Sequence, residues 1–208
     1  LKEKEKGSLL VQKYLNNPYI ISKRKINIRY YFLIVCSRDH VSGYVHQKGF
    51  MYYTPKCYNE NSLNIDENIT SGYVPRKVYQ ENPLTIEDFN NYIINKGESP
   101  NVFFNKVKDI FKKIMKSLKN NVCKEKNLKN NTIYQLFGAD IAPDNKLNPF
   151  ILEMNKGPDM SPKDKRDKIV KLKVNQDIMD IVDDLGNYKY TNPNQFHLVH
   201  RFNRHLKN

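Results

Sequence analysis

The stretch KINIRYYFLIV, residues 25–35, decides the fold class of this 208-residue chain. Its first half alternates polar with apolar residues, a pattern that puts the two kinds of side chain on opposite faces of a β-strand. The polar face carries Lys25, Asn27 and Arg29, and the apolar face carries Ile26, Ile28 and Tyr30. The second half is continuously apolar. The stretch therefore predicts a long strand within a sheet, with a polar face near its beginning.

Shorter β segments are predicted on both sides of this strand. Residues 41–45 and 50–53, separated by Gln47-Lys48-Gly49, predict two further antiparallel strands of a meander. Residues 9–15 form an apolar run that predicts a short strand, and the breakers Asn16-Asn17-Pro18 end it.

Three amphipathic helices are predicted. The first begins at Thr85, whose side chain can cap it, and runs to about residue 94. The second spans residues 101–118, and its lysine-rich face is more readily interpreted as solvated than as a binding stripe. The third spans residues 161–185, with Ser161 as its cap and Gly186 as its end. Strands and helices together predict an α+β fold.

The charge of the chain indicates an anionic partner without identifying it. Lysine and arginine number 35 and aspartate and glutamate 22, so the formal net charge is +13. This charge attracts nucleic acid, nucleotide phosphates or acidic protein tails. The lysine excess accompanies abundant asparagine and isoleucine, so the base composition of the genome explains it equally well. No apolar run approaches the roughly 20 residues of a membrane span, and we expect no membrane partner.

Cysteine and histidine residues are not expected to form metal sites or disulfides. The chain has three cysteines, an odd number without the spacing of zinc ligands, which predicts reduced thiols in an intracellular protein. They are Cys36, Cys57 and Cys123. Three histidines lack any accompanying carboxylate or cysteine pattern. They are His197, His200 and His205. The chain opens at Leu1 with neither methionine nor an apolar signal core, so we expect a cytoplasmic protein whose N-terminal part is missing.

A predicted hairpin carries the residues with the clearest chemistry. Residues 133–141 and 147–154 predict two strands joined by a tight polar turn. Glu153 and Asn155 then point to the same side, and the turn brings Asp140 beside them. Three oxygen donors in this arrangement suit Mg²⁺, which completes its octahedron with water and phosphate oxygens. The alternative is that these are merely polar residues at strand ends.

Two cations on the first strand offer a second possible site. Lys25 and Arg29 can neutralise a chain of phosphates, with Arg29 acting as a bidentate fork. The alternative is an ordinary exposed strand face. The sequence contains neither the GxxxxGK[ST] pattern nor the GxGxxG pattern, so neither a phosphate loop nor a Rossmann fold is indicated.

Four segments resemble one known family, in the order in which they occur in that family. They are LVQKYLNNP at residues 10–18, KINIR at 25–29, FGAD at 137–140 and FILEMNKGP at 150–158. They resemble the hinge, the K-F-D-x-R strand, and the G-x-D and L-E-x-N-x-x-P signatures of the tubulin-tyrosine-ligase-like family of ATP-grasp ligases. The resemblance is clearest over residues 9–158. It implies one domain over residues 1–208, with an ATP-grasp-like antiparallel sheet flanked by helices, incomplete at its N-terminus.

The resemblance also implies a role for each motif residue. Lys25 and Arg29 would carry the catalysis by facing the nucleotide phosphates and the acceptor carboxylate, and Asn27 would join Lys25 in the nucleotide site. The residues implied for the adenine pocket are Gln12, Lys13, Tyr14 and Leu15. The residues implied to hold magnesium ions are Asp140, Glu153 and Asn155.

The implied reaction uses ATP and Mg²⁺ to activate a carboxylate as an acyl phosphate, which an amine then attacks to form an amide. The implied partners are a free amino acid and an acidic protein tail such as that of tubulin, which fits the positive charge of the chain. A cytoplasmic location at the cytoskeleton follows from such a partner.

Departures from the family pattern leave other functions open. Asn27 stands where the family usually has Asp, and Tyr52 stands where an Arg is expected. The family's H-L-T-N-Y segment is matched only loosely by residues 68–73. The alternatives are a binding module that keeps the ATP-grasp shell without turnover and a basic nucleic-acid binder. The second has no recognition motif in its favour.

Overall fold

The computed structural model describes residues 11–119, 121–124, 132–183 and 193–204. The strands are β1 (Ile20–Ile21), β2 (Arg24–Cys36), β3 (His40–Tyr53), β4 (Ile133–Pro143), β5 (Pro149–Lys156) and β6 (Phe196–Asn203). The helices are α1 (Ile65–Asn68), α2 (Arg76–Glu81), α3 (Ile86–Ile94), α4 (Pro100–Leu118) and α5 (Lys165–Val182). The strands form one antiparallel sheet in the order β5-β4-β2-β3-β6, with β1 paired to the beginning of β2. This architecture confirms the α+β fold class and is consistent with an ATP-grasp-like sheet flanked by helices.

The long predicted strand is confirmed as β2, which lies at the centre of the sheet and separates two apolar clusters. On one side Phe32 stacks on Phe111 of α4, with ring centroids 4.6 Å apart, in a cluster that also includes α3. On the other side Leu33 belongs to a cluster with Val174 of α5. The polar residues at the beginning of β2 precede Leu33 on this second face. The sheet therefore leaves one end of one face for polar groups.

The predicted meander is wrong, because residues 40–53 form one continuous strand. β3 pairs with β2 over residues 41–45 and again over residues 49–53. The register shifts between these two stretches, because Phe32 pairs with Val45 whereas Tyr30 pairs with Gly49. The polar residues that suggested a turn form this bulge instead. A Cβ at position 49 would collide with the Arg29 carbonyl, so only glycine allows the close approach of the two strands there.

The predicted helices exist, with corrections at two of their beginnings. Thr85 caps α3, as predicted, and the structure adds a capping box in which Asp88 accepts the backbone N–H of Thr85. Ser99 caps α4, which begins one residue earlier than predicted. The cap of α5 is Asp164 and not Ser161, because the Asp164 side chain accepts the backbone N–H of Asp167. The predicted end at Gly186 lies outside the described residues.

Several segments of the chain differ from the sequence prediction. Residues 11–15 have no regular secondary structure, so the predicted strand is wrong over that described part. Val11 and Tyr14 are exposed, and their apolar character therefore does not indicate a buried strand. The histidine-rich tail, for which the sequence predicted no element, forms β6 on the free side of β3. The short helices α1 and α2 were also not predicted.

The prediction of reduced thiols is wrong for two of the three cysteines. Cys36 at the end of β2 and Cys123 after α4 form a disulfide across 87 residues of sequence, with their Cα atoms 6.0 Å apart. Cys57 is free and exposed. The spacing of the cysteines in the sequence did not predict this pair, because Cys36 and Cys123 meet only in the folded chain, where the segment after α4 lies beside the end of β2. None of the described helices is both long enough and apolar enough to cross a membrane.

Candidate active site

Three charged residues form a row across three neighbouring strands. Arg29 of β2 and Asp140 of β4 are Cα partners, and Asp140 in turn is the partner of Glu153 on β5. Side chains at directly opposed positions point to the same face of a sheet. The structure therefore brings together the cation and both carboxylates that the family resemblance implies for one site.

Arg29 is held by contacts on three sides. Its Nε and Nη2 groups donate to the two carboxylate oxygens of Asp140, the second at 3.0 Å. Its guanidinium carbon lies 5.2 Å from the centre of the Tyr52 ring. A Cβ at position 138 would lie 2.9 Å from Arg29 Cδ and 3.0 Å from Pro158 Cβ, so Gly138 gives the arginine room to lie flat on the sheet. The G-x-D motif thus supplies both the space and the counter-ion for Arg29.

The Glu153 carboxylate lies close enough to Asp140 to influence the ionisation of Asp140. Burial raises the pKa of Asp140, and the neighbouring Glu153 carboxylate raises it further, while Arg29 opposes both effects. Asp140 is buried, whereas Glu153 is exposed. The site therefore has two carboxylates and one bound arginine, and a further cation would favour the ionised form of Asp140.

The donor set at this end of the hairpin fits Mg²⁺. Asn155 donates its Nδ2 group to Glu153 Oε1 at 2.8 Å, which keeps the three predicted ligands in one group. Within the described ranges, no cluster of three or more histidine, cysteine, aspartate or glutamate side chains could hold a metal ion. Two carboxylates and one amide suit Mg²⁺ because this ion keeps several waters and takes phosphate oxygens from its substrate.

Lys25 and Asn27 occupy the same face of β2 and are buried, not solvated. They are 7% and 4% exposed, respectively. Lys25 Nζ lies 4.6 Å from the centre of the Tyr14 ring, and burial lowers the pKa of this amine. Within the described part of the chain, Asn27 Oδ1 is buried and lacks a hydrogen-bond donor. A buried acceptor of this kind is usually satisfied by a ligand or an ordered water molecule.

The segment predicted to line the adenine pocket lies across the edge of this site. Gln12 donates to the Leu152 carbonyl at 3.1 Å. Leu152 lies at a bulge between the Asp140–Glu153 pair and the Ile141–Ile151 pair. Tyr14 covers Lys25 and donates to Asn68 Oδ1 of α1 at 2.8 Å. Leu15 is half-buried and Lys13 is exposed. The structure therefore brings Gln12 and Tyr14 to the site and leaves Lys13 at the surface.

A buried ion pair beside the site was missed by the sequence prediction. Lys171 Nζ donates to Asp167 Oδ2 at 3.0 Å and to the Ser161 carbonyl at 2.7 Å, and it lies 5.7 Å from the Phe50 ring. Phe50 is the strand partner of Arg29. The pair thus anchors the loop after β5 next to the row of charged residues. Its i, i+4 spacing on a helix is a signal that the sequence contains.

Comparisons with known proteins agree with the motifs in this site. A model of the tubulin-tyrosine ligase family matches residues 1–189. A tubulin polyglutamylase of Caenorhabditis elegans is 25% identical over 84% of this chain and 26% of its own length. A tubulin polyglutamylase of Mus musculus is 27% identical over 86% of this chain and 24% of its own length. A tubulin glycylase of Tetrahymena thermophila is 28% identical over 86% of this chain and 18% of its own length.

The chain thus spans between 18% and 26% of the length of these three relatives. The family match extends beyond residues 9–158, where the motifs are clearest, and includes the whole of α5 with its buried ion pair. Since this match covers most of its residues, the chain belongs to the tubulin-tyrosine ligase family.

Proposed function

We propose that this chain forms the metal and phosphate side of an ATP-dependent ligase that joins an amino acid to a protein carboxylate. The observation that carries the proposal is the row of Arg29, Asp140 and Glu153 across three strands. The named relatives modify tubulin, so we propose an acidic tubulin-type tail as the acceptor and a free amino acid as the donor. Such an acceptor would place the protein in the cytoplasm at the cytoskeleton.

The row and the polar residues beside it divide into metal ligands and cations in this reaction. Asp140, Glu153 and Asn155 would hold Mg²⁺, which when bound supplies charge stabilisation to the transferred phosphoryl oxygens. Arg29 uses Nε and Nη2 for Asp140, so its remaining N–H groups can donate to an anionic oxygen of the nucleotide or of the acyl phosphate. Lys25 adds a second positive charge on the same face. Fixed cations aimed at developing negative charge are the main means by which such sites accelerate phosphoryl and acyl transfer.

Asn27 has a different task from the aspartate usual in the family. Its amide nitrogen can donate hydrogen bonds and its carbonyl oxygen can accept them, but the side chain cannot take up a proton or balance a charge. The unsatisfied Oδ1 supports a role in which Asn27 orients a ligand hydroxyl or amine by a hydrogen bond. The proton released when the amine attacks must therefore leave by another group.

A non-catalytic ATP-grasp binding module is the second candidate, and one observation favours it. Asn27 and Tyr52 are Cα partners on β2 and β3. The two departures from the family pattern, Asn27 and Tyr52, therefore lie opposite each other on neighbouring strands, and each replaces a charged residue by a neutral one. A site that binds nucleotide without turnover could lose a charged pair in this way.

The first experiment measures ADP release by the full-length protein with Mg·ATP, tubulin and either glutamate or glycine. Release that depends on both acceptor and amino acid supports the ligase. Glu153→Gln should lower this rate by about 100-fold and weaken Mg²⁺-dependent nucleotide binding, since it removes one ligand charge. Glu98→Gln, an exposed position before α4, is the matched control and should leave both unchanged.

The second experiment separates the ligase from the binding module. Nucleotide binding without ADP release would favour the module, and the double change Asn27→Asp with Tyr52→Arg should then introduce turnover. Unaltered nucleotide affinity in Glu153→Gln would contradict the metal assignment in either case.

A further inference from the structure

Both ends of β6 are fastened to the rest of the molecule, but by different means. At the beginning of the strand, the buried Asp177 side chain on α5 accepts the backbone N–H of Gln195 at 3.0 Å and lies 2.9 Å from His46 Nε2 of β3. The Asp177 carbonyl also accepts Asn194 Nδ2 at 2.8 Å. These attachments are hydrogen bonds, so they do not depend on the oxidation state of any cysteine.

The end of β6 is held by a junction that contains the disulfide. Arg204 directly follows β6, and its Nη1 and Nη2 groups donate to the carbonyls of Ser37 at 3.1 Å and Cys123 at 3.3 Å. Its backbone N–H donates to the Asp39 carbonyl at 2.9 Å. The disulfide joins Cys36, which directly precedes Ser37, to Cys123. Arg204 therefore contacts two segments that the disulfide fixes to each other, and we call this junction the β6 clasp.

The pairing of β6 with β3 is divided into two parts. Residues 196–198 pair with residues 44–46, residues 200–203 pair with residues 40–43, and the register shifts between the two parts. β6 is also the outermost strand on its side of the sheet. Because a shift of this kind interrupts the ladder, the second part can separate from β3 while the first part stays paired.

Cys123 takes part in the β6 clasp in a backbone conformation that is unfavourable without a constraint. Its φ angle is 58°, in the left-handed region that favours glycine. A residue with a side chain stays in this region only where the surrounding structure holds it there. The disulfide supplies such a constraint on the residue whose carbonyl Arg204 contacts. Loss of the disulfide therefore allows the Cys123 backbone to relax and its carbonyl to turn away from Arg204.

We propose that the Cys36–Cys123 bond is a reversible redox switch, which keeps residues 200–204 docked when it is formed and releases them when it is broken. Reduction by a dithiol breaks the S–S bond and forms two thiols, while the dithiol supplies two electrons and two protons and leaves as a disulfide. Oxidation reverses this exchange. Reversibility in the cell rests on the proposed cytoplasmic location, because disulfides in that reducing compartment are usually transient or redox-sensing.

Release of residues 200–204 changes the edge of the sheet. Residues 40–43 of β3 then present unpaired N–H and C=O groups, which can pair with another strand. Phe202, which packs against the cluster that contains Phe32, loses this packing. The row of charged residues in the candidate active site lies on β2, β4 and β5. The switch therefore acts at a different edge of the sheet from the candidate active site.

The test measures amide hydrogen exchange by mass spectrometry on the full-length protein before and after treatment with dithiothreitol. Alkylation of the released thiols confirms the reduction. Residues 200–204 should exchange at least about tenfold faster in the reduced protein, whereas residues 195–198, fastened by Asp177, should change by less than about twofold. Unchanged exchange of residues 200–204 would overturn the proposal. Equal increases at both ends of β6 would also overturn it, because the bond would then be only a general stabiliser.

Two variants identify the sulfur atoms that are responsible. Cys36→Ser with Cys123→Ser lacks the bond and should show fast exchange of residues 200–204 with or without dithiothreitol. Cys57→Ser removes the exposed free thiol and should respond to dithiothreitol as the unsubstituted protein does. A response that disappears in Cys57→Ser would contradict the assignment to Cys36 and Cys123. The measurement on the unsubstituted protein decides the question if the double variant fails to fold.

A second measurement tests reversibility. The unsubstituted protein is equilibrated with mixtures of glutathione and glutathione disulfide, and its thiols are counted by alkylation and mass spectrometry. The bond should break in mixtures as reducing as the cytosol and re-form as glutathione disulfide increases. A bond that stays intact in the folded protein throughout this range would be a permanent structural link and would contradict the switch. None of these readouts uses nucleotide or ligase activity, so the outcome is independent of whether the proposed function holds.

Discussion

The two halves of one face of β2 are both buried, but for opposite reasons. In the second half, Leu33 and Val35 are covered by apolar side chains of α5, and burial of such area stabilises the fold by about 25 cal/mol per Å². In the first half, Lys25 and Asn27 are equally inaccessible, yet Asn27 Oδ1 lacks a donor among the described residues. Burial of such polar groups costs free energy. The comparison indicates that the second half stabilises the sheet and that the first half is organised for a ligand.

The largest effect on stability is expected in the apolar half. Leu33→Ala should lower the free energy of unfolding by about 3 to 4 kcal/mol, because it removes a fully buried side chain from the cluster with α5. Nucleotide affinity of the folded protein should remain unchanged. Urea denaturation measures the stability and nucleotide titration measures the affinity. A stability loss below about 1 kcal/mol would contradict the view that the apolar half of this face stabilises the sheet.

Arg29→Ala should have a slightly smaller effect on stability and a larger one on activity. It leaves the buried Asp140 carboxylate without its cation, which costs about 3 kcal/mol. Arg38→Ala, at an exposed position, is the control and should cost less than about 0.5 kcal/mol. The double variant Arg29→Ala with Asp140→Asn should recover much of the lost stability. If the double variant is no more stable than Arg29→Ala, the ion pair is not the cause.

The pH dependence of stability offers a more sensitive test of the polar half. Because the pKa of Asp140 is higher in the folded state than in the unfolded state, the folded state retains its proton to higher pH. This contribution to stability is complete below the unfolded value of about 4 and is lost as pH rises through the folded pKa. The loss is at most about 1.4 kcal/mol per pH unit.

Asp140→Asn should abolish this part of the pH dependence, measured by urea denaturation between about pH 4 and pH 7. Asp66→Asn, at a half-exposed position on α1, is the control and should follow the unsubstituted protein. A rise in stability over this range that Asp140→Asn removes would reverse the assigned direction of the shift.

The smallest effect is expected at the edge of the site. Tyr14→Leu removes the ring that covers Lys25, and an exposed contact between a cation and an aromatic ring contributes only about 0.5 to 1 kcal/mol. The acylation rate of Lys25, followed by mass spectrometry, should increase because the amine becomes accessible. A stability loss as large as that of Leu33→Ala would show that Tyr14 belongs to the core.

Local patterns account for the parts of the fold and site that the sequence predicted. Alternation over residues 25–30 predicted β2 and its polar face, and Thr85 predicted the beginning of α3. The hairpin of β4 and β5 followed from two apolar runs around a short polar turn. These features depend on residues that are close in sequence, so a single segment contains the whole signal.

The misinterpreted segments depend on partners that are distant in sequence. Residues 47–49 resemble a turn in the sequence. The segments on both sides of the bulge pair with β2, and this pairing keeps the whole stretch within one strand. The buried pair of His46 and Asp177, with its nitrogen and oxygen 2.9 Å apart, fastens β3 to α5 across 131 residues. No local period reveals such contacts, because loop closure and packing decide which distant segments meet.

Spacing within short segments was enough to predict the central strand, the α+β class and the charged residues of the site. Three features became visible only in the folded chain: Arg29 is held by Asp140 across 111 residues, Cys36 joins Cys123, and the tail forms β6 beside α4. The antiparallel register of the sheet places Arg29 beside Asp140. The return of the chain to the sheet brings Cys123 to Cys36 and the tail to α4. Such alignments arise from packing of whole elements against one another, which no local stretch of sequence encodes.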